Sequence, residues 1–157
     1  MLLTRLRRLI SLRHLTLDLN ISDLPQRKID VLELAYALKA APFMEKLELN
    51  MVMIGRHRRY CPDDGELRSL ASSPHSHLSW VHIGFVGEKD QLELALHILH
   101  NAMVLKEMII DTSSSTESVG VYFLPECVAS DGYSVALEFL SKQYRNNIVC
   151  ILEVDEQ

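Results

Sequence analysis

The 157-residue sequence has few cysteines, few aromatic residues and no long apolar run. Its cysteines, at positions 61, 127 and 150, are odd in number and widely spaced, which does not fit a disulfide framework. No apolar stretch approaches the ~20 residues that span a bilayer. Arginines interrupt the apolar character of the first thirteen residues, which argues against a signal peptide. These absences predict an intracellular protein, cytoplasmic or nuclear, with no membrane partner.

The sequence also lacks an excess of positive charge. Its formal net charge is −5 and its pI is about 5.8, so composition does not favour binding to nucleic acid. The one basic cluster, Arg56 to Arg59, is followed at once by the carboxylates of Asp63, Asp64 and Glu66, which offset its field. A solvated loop is our interpretation of this cluster, with a contact to nucleic acid or to protein as the alternatives.

Signatures of catalysis and of metal binding are missing as well. The sequence contains no Gly-x-Ser-x-Gly turn and no glycine-rich phosphate loop, and Cys61 has no flanking signature of a nucleophile. The residues that could approach one another as zinc ligands are His57, Cys61, His75 and His77, and on one predicted helix His97 and His100. The paired short spacings of structural zinc sites are absent. We therefore expect no enzyme activity, no cofactor, no metal and no small-molecule substrate.

A leucine pattern that occurs four times is the main positive feature. Leu12-x-x-Leu15-x-Leu17-x-x-Asn20 matches the leucine-rich-repeat pattern position for position. Its first half returns, with conservative apolar replacements, as Met44-x-x-Leu47-x-Leu49, Leu78-x-x-Val81-x-Ile83 and Leu105-x-x-Met108-x-Ile110. The third apolar position advances by 32, 34 and 27 residues, which is room for one helix, one strand and their loops.

Segments with helical periodicity precede the strands. The predicted helices are Asp30 to Ala41, Asp64 to Ser72, Asp90 to Val104 and Asp131 to Lys142. Three of them begin with a capping-box signal, formed by Asp30 with Glu33, Asp63 with Glu66, and Asp90 with Glu93. Pro42 and Pro74 are expected to end helices before the next strand.

The apolar face of one such unit cannot be buried alone, so the units should stack. We predict an α/β fold, a leucine-rich-repeat-like solenoid of about four to five helix–strand units with parallel strands on one face. Residues 1–111 would form the repeats, 112–120 a polar Ser/Thr-rich loop, and 121–157 a closing helix and strand.

Side chains alternate between the faces of a strand, so the residues between the apolar positions should point outward. These outward residues are His14, Thr16, Asp18, Lys46, Glu48, Asn50, Trp80, His82, Glu107, Ile109 and Asp111. The candidate binding residues among them are Lys46, Glu48, Asn50, Trp80, His82, Glu107 and Asp111. Trp80 is the only tryptophan, and an exposed aromatic residue there would serve as a binding anchor. The alternative is that a neighbouring loop covers it.

Three landmarks stand between residues 77 and 111. A strand ends in Gly84-Phe85-Val86-Gly87, a charged helix start follows near Gln91, and the run Asn101-Ala102-Met103-Val104-Leu105-Lys106 leads into another strand. These landmarks resemble the FBD region of plant F-box/leucine-rich-repeat proteins, and stretches 32–42 and 123–127 are similar to the C-terminal half of grass members. The resemblance implies a substrate receptor, in which an F-box docks on the adaptor of a cullin-type ubiquitin ligase and the repeats capture the target.

The sequence departs from that pattern because no F-box precedes the first repeat, and Arg5 to Ile10 reads like the end of a helix from a preceding unit. Two functions are therefore expected. The first is a non-enzymatic protein-interaction module that resembles the substrate-recognition part of such a receptor. The second is a truncated structural or regulatory remnant without binding activity of its own. An open N-terminal end, with Leu3, Leu6 and Ile10 exposed, would then cause self-association.

Overall fold

The computed structural model describes residues 9–22, 29–54, 59–112, 129–141 and 148–152. Its strands are β1 (His14–Ser22), β2 (Lys46–Ile54), β3 (Trp80–Gly84), β4 (Glu107–Asp111) and β5 (Val149–Leu152). Its helices are α1 (Leu34–Ala40), α2 (Lys89–Asn101) and α3 (Ala129–Phe139), and two 3-10 helices cover Val31–Glu33 and Pro62–Asp64.

The five strands form one sheet in chain order, and every neighbouring pair is parallel. The register places the third apolar position of each predicted repeat in one line, in which Leu17 pairs with Leu49, Leu49 with Ile83, and Ile83 with Ile110. Ile151 of β5 extends that line beyond Ile110. The predicted leucine-rich-repeat-like solenoid with parallel strands is confirmed.

The core lies between the inner face of the sheet and the helices. Leu49, Ile83 and Ile110 are fully buried, and the α2 side chains Leu94 and Ile98 pack against the same core. The inward leucines of β1 are only partly buried, as expected of an edge strand that pairs on one side only within the described sheet. Burial on a shared core is what stabilises the stack, since each large apolar side chain contributes roughly 1.5–3 kcal/mol.

The helix predicted for Asp64 to Ser72 is wrong. The chain forms the short 3-10 helix Pro62–Asp64, and residues 65–79 contain no helix. Gly65 has a φ of 105°, a left-handed conformation that ends the 3-10 helix. The backbone N–H of Arg68 donates to the Glu93 side chain of the neighbouring unit. We call residues 65–79 the coil segment.

Of the three aspartates predicted to be N-caps, only Asp30 is the N-cap of its helix. Asp30 accepts the backbone N–H of Leu32 at 3.2 Å, which confirms Asp30 as the N-cap, the first half of the predicted box with Glu33. The cap at Asp63 is wrong, because Asp64 instead accepts the backbone N–H of Cys61 at 3.0 Å. Each cap of this kind stabilises a helix start by about 1 kcal/mol.

The predicted cap at Asp90 is also wrong. Glu88 is the N-cap of α2, and the Gln91 side chain accepts the Glu88 backbone N–H at 3.3 Å. The Asp90 carboxylate lies in the first turn and accepts the backbone N–H of Val31 at 3.0 Å. A residue that we expected to cap its own helix therefore joins two units.

The helix predicted for Asp131 to Lys142 is present as α3, and it crosses closely over the turn that follows β3. A Cβ atom at Gly132 would lie 2.7 Å from the carbonyl oxygen of Phe85, so only glycine fits at this crossing. Several predictions concern residues that the structure does not describe. These residues are 113–120 of the polar loop, Arg56 to Arg58, Leu3 and Leu6.

Candidate interaction surface

The outer face of the sheet carries the predicted binding residues, and we call the outward side chains of β1 to β4 the strand face. Parallel pairing arranges them in rows across the strands. The first row contains His14, Lys46, Trp80 and Glu107, the second contains Thr16, Glu48, His82 and Ile109, and the third contains Asp18, Asn50 and Asp111. Residues distant in sequence thus become neighbours on one surface.

None of the seven predicted binding residues is buried. Lys46 and Glu107 are exposed and the other five are half-buried. Trp80 is among the half-buried residues, and its ring contacts His82 and Lys46. The structure thus brings the seven candidates together on one accessible face.

Trp80 is held between two neighbours. Its ring stacks on that of His82, with the centroids 6.1 Å apart and the planes 13° from parallel. The ammonium nitrogen of Lys46 lies 5.9 Å from the Trp80 ring centroid, within the range of a cation–π contact. These contacts restrict the indole rotamer, so Trp80 is an ordered aromatic side chain before any partner arrives.

His82 is in turn fixed by Asp111. Its Nε2 atom lies 3.1 Å from the Asp111 carboxylate, and both side chains are 19% exposed. The other ring nitrogen, Nδ1, is buried and has no hydrogen-bond partner among the described residues. One edge of the imidazole is therefore anchored by the carboxylate while its plane supports Trp80.

Charge is unevenly distributed over the strand face. The first row contains Lys46 and Glu107, which offset each other. In the second and third rows of the described strands, the charged side chains are the carboxylates Asp18, Glu48 and Asp111, with no lysine or arginine among them. The half of the face at the carboxyl ends of the strands is therefore acidic.

A second polar cluster, on the helical side of the sheet, was not predicted. Arg68 of the coil segment donates to Asp30 at 2.7 Å and to Glu93 at 2.8 Å, and these two carboxylates raise the pKa of the guanidinium above its usual value. The Glu93 side chain is 0% exposed, so the ion pair with Arg68 offsets the cost of burying its carboxylate. Tyr60 and Lys89 line the same cavity of about 390 Å³. The sequence predicts Asp30 and Glu93 only as members of capping boxes.

The coil segment is also joined to α2 through two buried histidines. The Nε2 atoms of His75 and His97 are 3.2 Å apart, and the Asn101 side chain accepts the backbone N–H of Ser73 at 3.0 Å. Burial, and to a smaller extent His97, lowers the pKa of His75 to about 4. Burial, followed by the charge of His100, lowers the pKa of His97.

Where the structure describes them, the residues considered as zinc ligands do not form a cluster. His75 contacts His97, whereas His77 is exposed and its Nδ1 lies 3.3 Å from the Pro42 carbonyl oxygen. Among the residues with described positions, no group of three or more His, Cys, Asp or Glu side chains could hold a metal ion. His57 falls outside that part of the chain.

In the described ranges, no helix has both the length and the apolar character needed to cross a membrane.

The sequence matches the family model described as At1g61320/AtMIF1, LRR domain, over residues 3–149. Neither a curated protein nor a solved structure gave a match to the chain. Leucine-rich-repeat domains of this kind are in general non-enzymatic protein-interaction modules. With its repeats in register over five parallel strands, the chain belongs to the At1g61320/AtMIF1 leucine-rich-repeat domain family of plant proteins.

Proposed function

We propose that the chain is a protein-interaction module and that its strand face binds the partner. The observation that carries this proposal is the placement of the only tryptophan, Trp80, at an accessible position between Lys46 and His82. Tryptophan is strongly enriched among residues that dominate binding energy at protein interfaces. The other proposed contact residues are Glu48, Asn50, Glu107 and Asp111.

The order of the strand face supports this role. Association costs about 0.5–1.5 kcal/mol for each flexible side chain that becomes immobilised. Trp80 is already stacked on His82, and His82 is already held by Asp111. Asn50 likewise donates to Asp18 at 2.8 Å. A surface whose central side chains are fixed in the free protein loses less entropy when a partner binds.

A more specific setting for this module is the substrate-recognition part of a plant F-box/leucine-rich-repeat ubiquitin-ligase receptor, acting in the cytoplasm or the nucleus. The support is the resemblance of residues 77–111 to the FBD region. Phe85 of the Gly-Phe-x-Gly landmark is fully buried, and Gly87 adopts a φ of 90° that favours glycine. In this landmark, the phenylalanine is therefore explained by its burial in the core and the second glycine by its positive φ.

The test is affinity purification from plant extract with the wild-type chain, Trp80→Ala and Tyr36→Ala. Tyr36 is an exposed aromatic residue of α1, outside the strand face, so its variant is the matched control. We expect mass spectrometry to find partners that Trp80→Ala loses and that Tyr36→Ala retains. Ligase adaptor and cullin subunits among them would support the receptor setting. Partners that Trp80→Ala retains in full would refute the strand face as the binding surface.

A second candidate function is that of a structural unit in a longer repeat array. Ile10, in the turn before β1, is 54% exposed, and the inward leucines of β1 are only partly buried. Another helix–strand unit, or a second copy of the chain, would cover this apolar surface. Concentration-dependent association in sedimentation velocity, abolished by Ile10→Lys, would favour this function. A monomer at all concentrations would count against it.

A further inference from the structure

We propose that the second and third rows of the strand face receive an extended cationic segment, with lysine or arginine side chains directed at Asp18, Glu48 and Asp111. This inference rests on the proposed function, because it concerns the partner of the same surface. It specifies the chemistry of that partner as a basic peptide segment of a protein.

The first argument is the charge of this part of the face. Asp18, Glu48 and Asp111 are its charged side chains in the described strands, and lysine and arginine are absent from those two rows. Facing charges of opposite sign speed association and exclude partners of the wrong sign. The same field repels an acidic peptide and the phosphates of a nucleic acid.

The second argument is the state of the individual carboxylates. Asp18 is oriented by the Asn50 amide at 2.8 Å, and Asp111 is oriented by His82 at 3.1 Å. Glu48 makes no hydrogen bond or ion pair with any described residue, although it is half-buried. A partly desolvated carboxylate gains more from a cationic partner than an exposed one does.

The third argument is spacing. Asp18 is on β1 and Asp111 is on β4, so three inter-strand steps of about 4.8 Å separate them, roughly 14 Å in total. In an extended peptide, side chains at i and i+4 are about 13–14 Å apart and point to the same side. A segment that crosses the strands along the third row would therefore present two cationic side chains to Asp18 and Asp111, and its residue midway between them would lie near Asn50, one row from Glu48.

Trp80 adds a reason to prefer a cation over a purely apolar partner. Its ring already lies 5.9 Å from the Lys46 ammonium, so the indole attracts a cation within the free protein. Trp80 borders the second row through its stack on His82. A lysine or arginine stem that passes over this edge would contact the indole while its charge reaches a carboxylate.

The experiment uses Trp80 as the reporter, because it is the only tryptophan of the chain. Three synthetic nine-residue peptides, alternating serine with lysine, with glutamate or with glutamine, are titrated into the full chain while Trp80 emission is recorded. We expect saturable binding of the lysine peptide alone, weakened about tenfold between ~50 and ~300 mM salt because surface charge pairs are screened.

The decisive variant is Asp18→Asn with Glu48→Gln, which keeps the shape and one acceptor oxygen of each side chain and removes the charge. We expect it to bind the lysine peptide about tenfold more weakly. The matched control, Glu33→Gln with Glu138→Gln, removes two exposed carboxylates from the 3-10 helix before α1 and from α3. It should bind as the wild type does. Equal losses in both double variants would reduce the effect to net charge and overturn the proposal.

The proposed function and this inference fail in different ways. Binding of the glutamate or glutamine peptide instead of the lysine peptide would retain the strand face as a docking surface and overturn its cationic partner. Lysine-peptide binding that calorimetry detects while Trp80 emission stays unchanged would place the cationic segment elsewhere and also overturn the inference. If Trp80→Ala retains all plant partners, the strand face is not the binding surface and the proposed function fails.

Discussion

The coil segment and the α2 unit fill equivalent places in the solenoid by different physical means. The α2 helix connects β3 to β4 and buries an apolar face that includes Leu94 and Ile98. The coil segment lies between β2 and β3, and polar contacts from Arg68 and His75 join it to α2. The strands keep their register in both places. A unit of this fold can therefore do without its own helix when hydrogen bonds and ion pairs with the neighbouring helix supplement the packing of Leu67, Leu70 and Leu78 on the core.

Leu94→Ala tests the apolar unit and should have the largest effect. Leu94 is fully buried in the core, so its truncation removes buried methyl groups and leaves a cavity. We expect the free energy of unfolding, measured with urea, to fall by about 3–5 kcal/mol. Leu137→Ala is the control on α3, where the side chain is 40% exposed, and it should cost less than about 1 kcal/mol. Equal losses would contradict the packing described for α2.

Arg68→Ala tests the polar unit. It leaves the buried Glu93 carboxylate without its cationic partner, and it also removes the ion pair with Asp30. We expect a loss of about 2–3 kcal/mol, less than for a fully buried pair because the Arg68 side chain is 47% exposed. In a hydrogen-exchange experiment, the backbone amides of the coil segment should exchange faster than in the wild type, while those of α2 keep their wild-type rates. A coil segment as protected as in the wild type would show that Arg68 does not hold it.

Acid should weaken the polar unit through the buried histidines. The pKa of His75 is about 4 in the folded protein against 6.5 for an unperturbed histidine, so the unfolded state binds more protons below about pH 6.5. Stability is therefore full above that pH and falls as the pH drops toward 4. We expect a loss of roughly 1–2 kcal/mol between pH 7.5 and pH 5.

His75→Gln removes this titration and should flatten the pH dependence of the unfolding midpoint over the same range. The lowered pKa of His97 leaves a smaller residual slope. His77→Gln is the control, because this neighbouring histidine is exposed, and its variant should keep the wild-type slope. If both variants behave alike, the pH dependence does not arise at the His75–His97 contact.

Arg13→Ala should have the smallest effect. Its ion pair with Glu45 has an N–O distance of 3.2 Å, against 2.8 Å for Arg68 with Glu93, and its side chains are 67% and 39% exposed. Exposed pairs of this kind contribute about 0–0.5 kcal/mol. The unfolding free energy of Arg13→Ala should thus equal that of the wild type within error. A loss of unfolding free energy as large as that of Arg68→Ala would show that burial does not determine how much each ion pair contributes.

The strands were predictable because their signal is local. The apolar triplets that contain Leu49, Ile83 and Ile110 repeat at a spacing that only stacked parallel strands satisfy, and their alternation determines which side chains face outward. The accessible positions of Trp80, Lys46 and Glu48 followed from the same alternation. The helices α1 and α2 were predicted from periodicity, with their ends displaced by one to four residues.

The sequence by itself therefore determined the repeat, the register of the sheet and the membership of the strand face. Tertiary structure alone decided how the coil segment is held, because Arg68 meets Glu93 across 25 residues and His75 meets His97 across 22. Such contacts depend on the distance between side chains in space, and no local periodicity encodes that distance. For the same reason the contact of Asp90 with Val31 of the preceding unit, made in addition to a bond with Gln91 of its own helix, could not be predicted from its neighbours in sequence. The stacking of Trp80 on His82 follows the strand alternation, but the anchoring of His82 by Asp111 required the folded sheet.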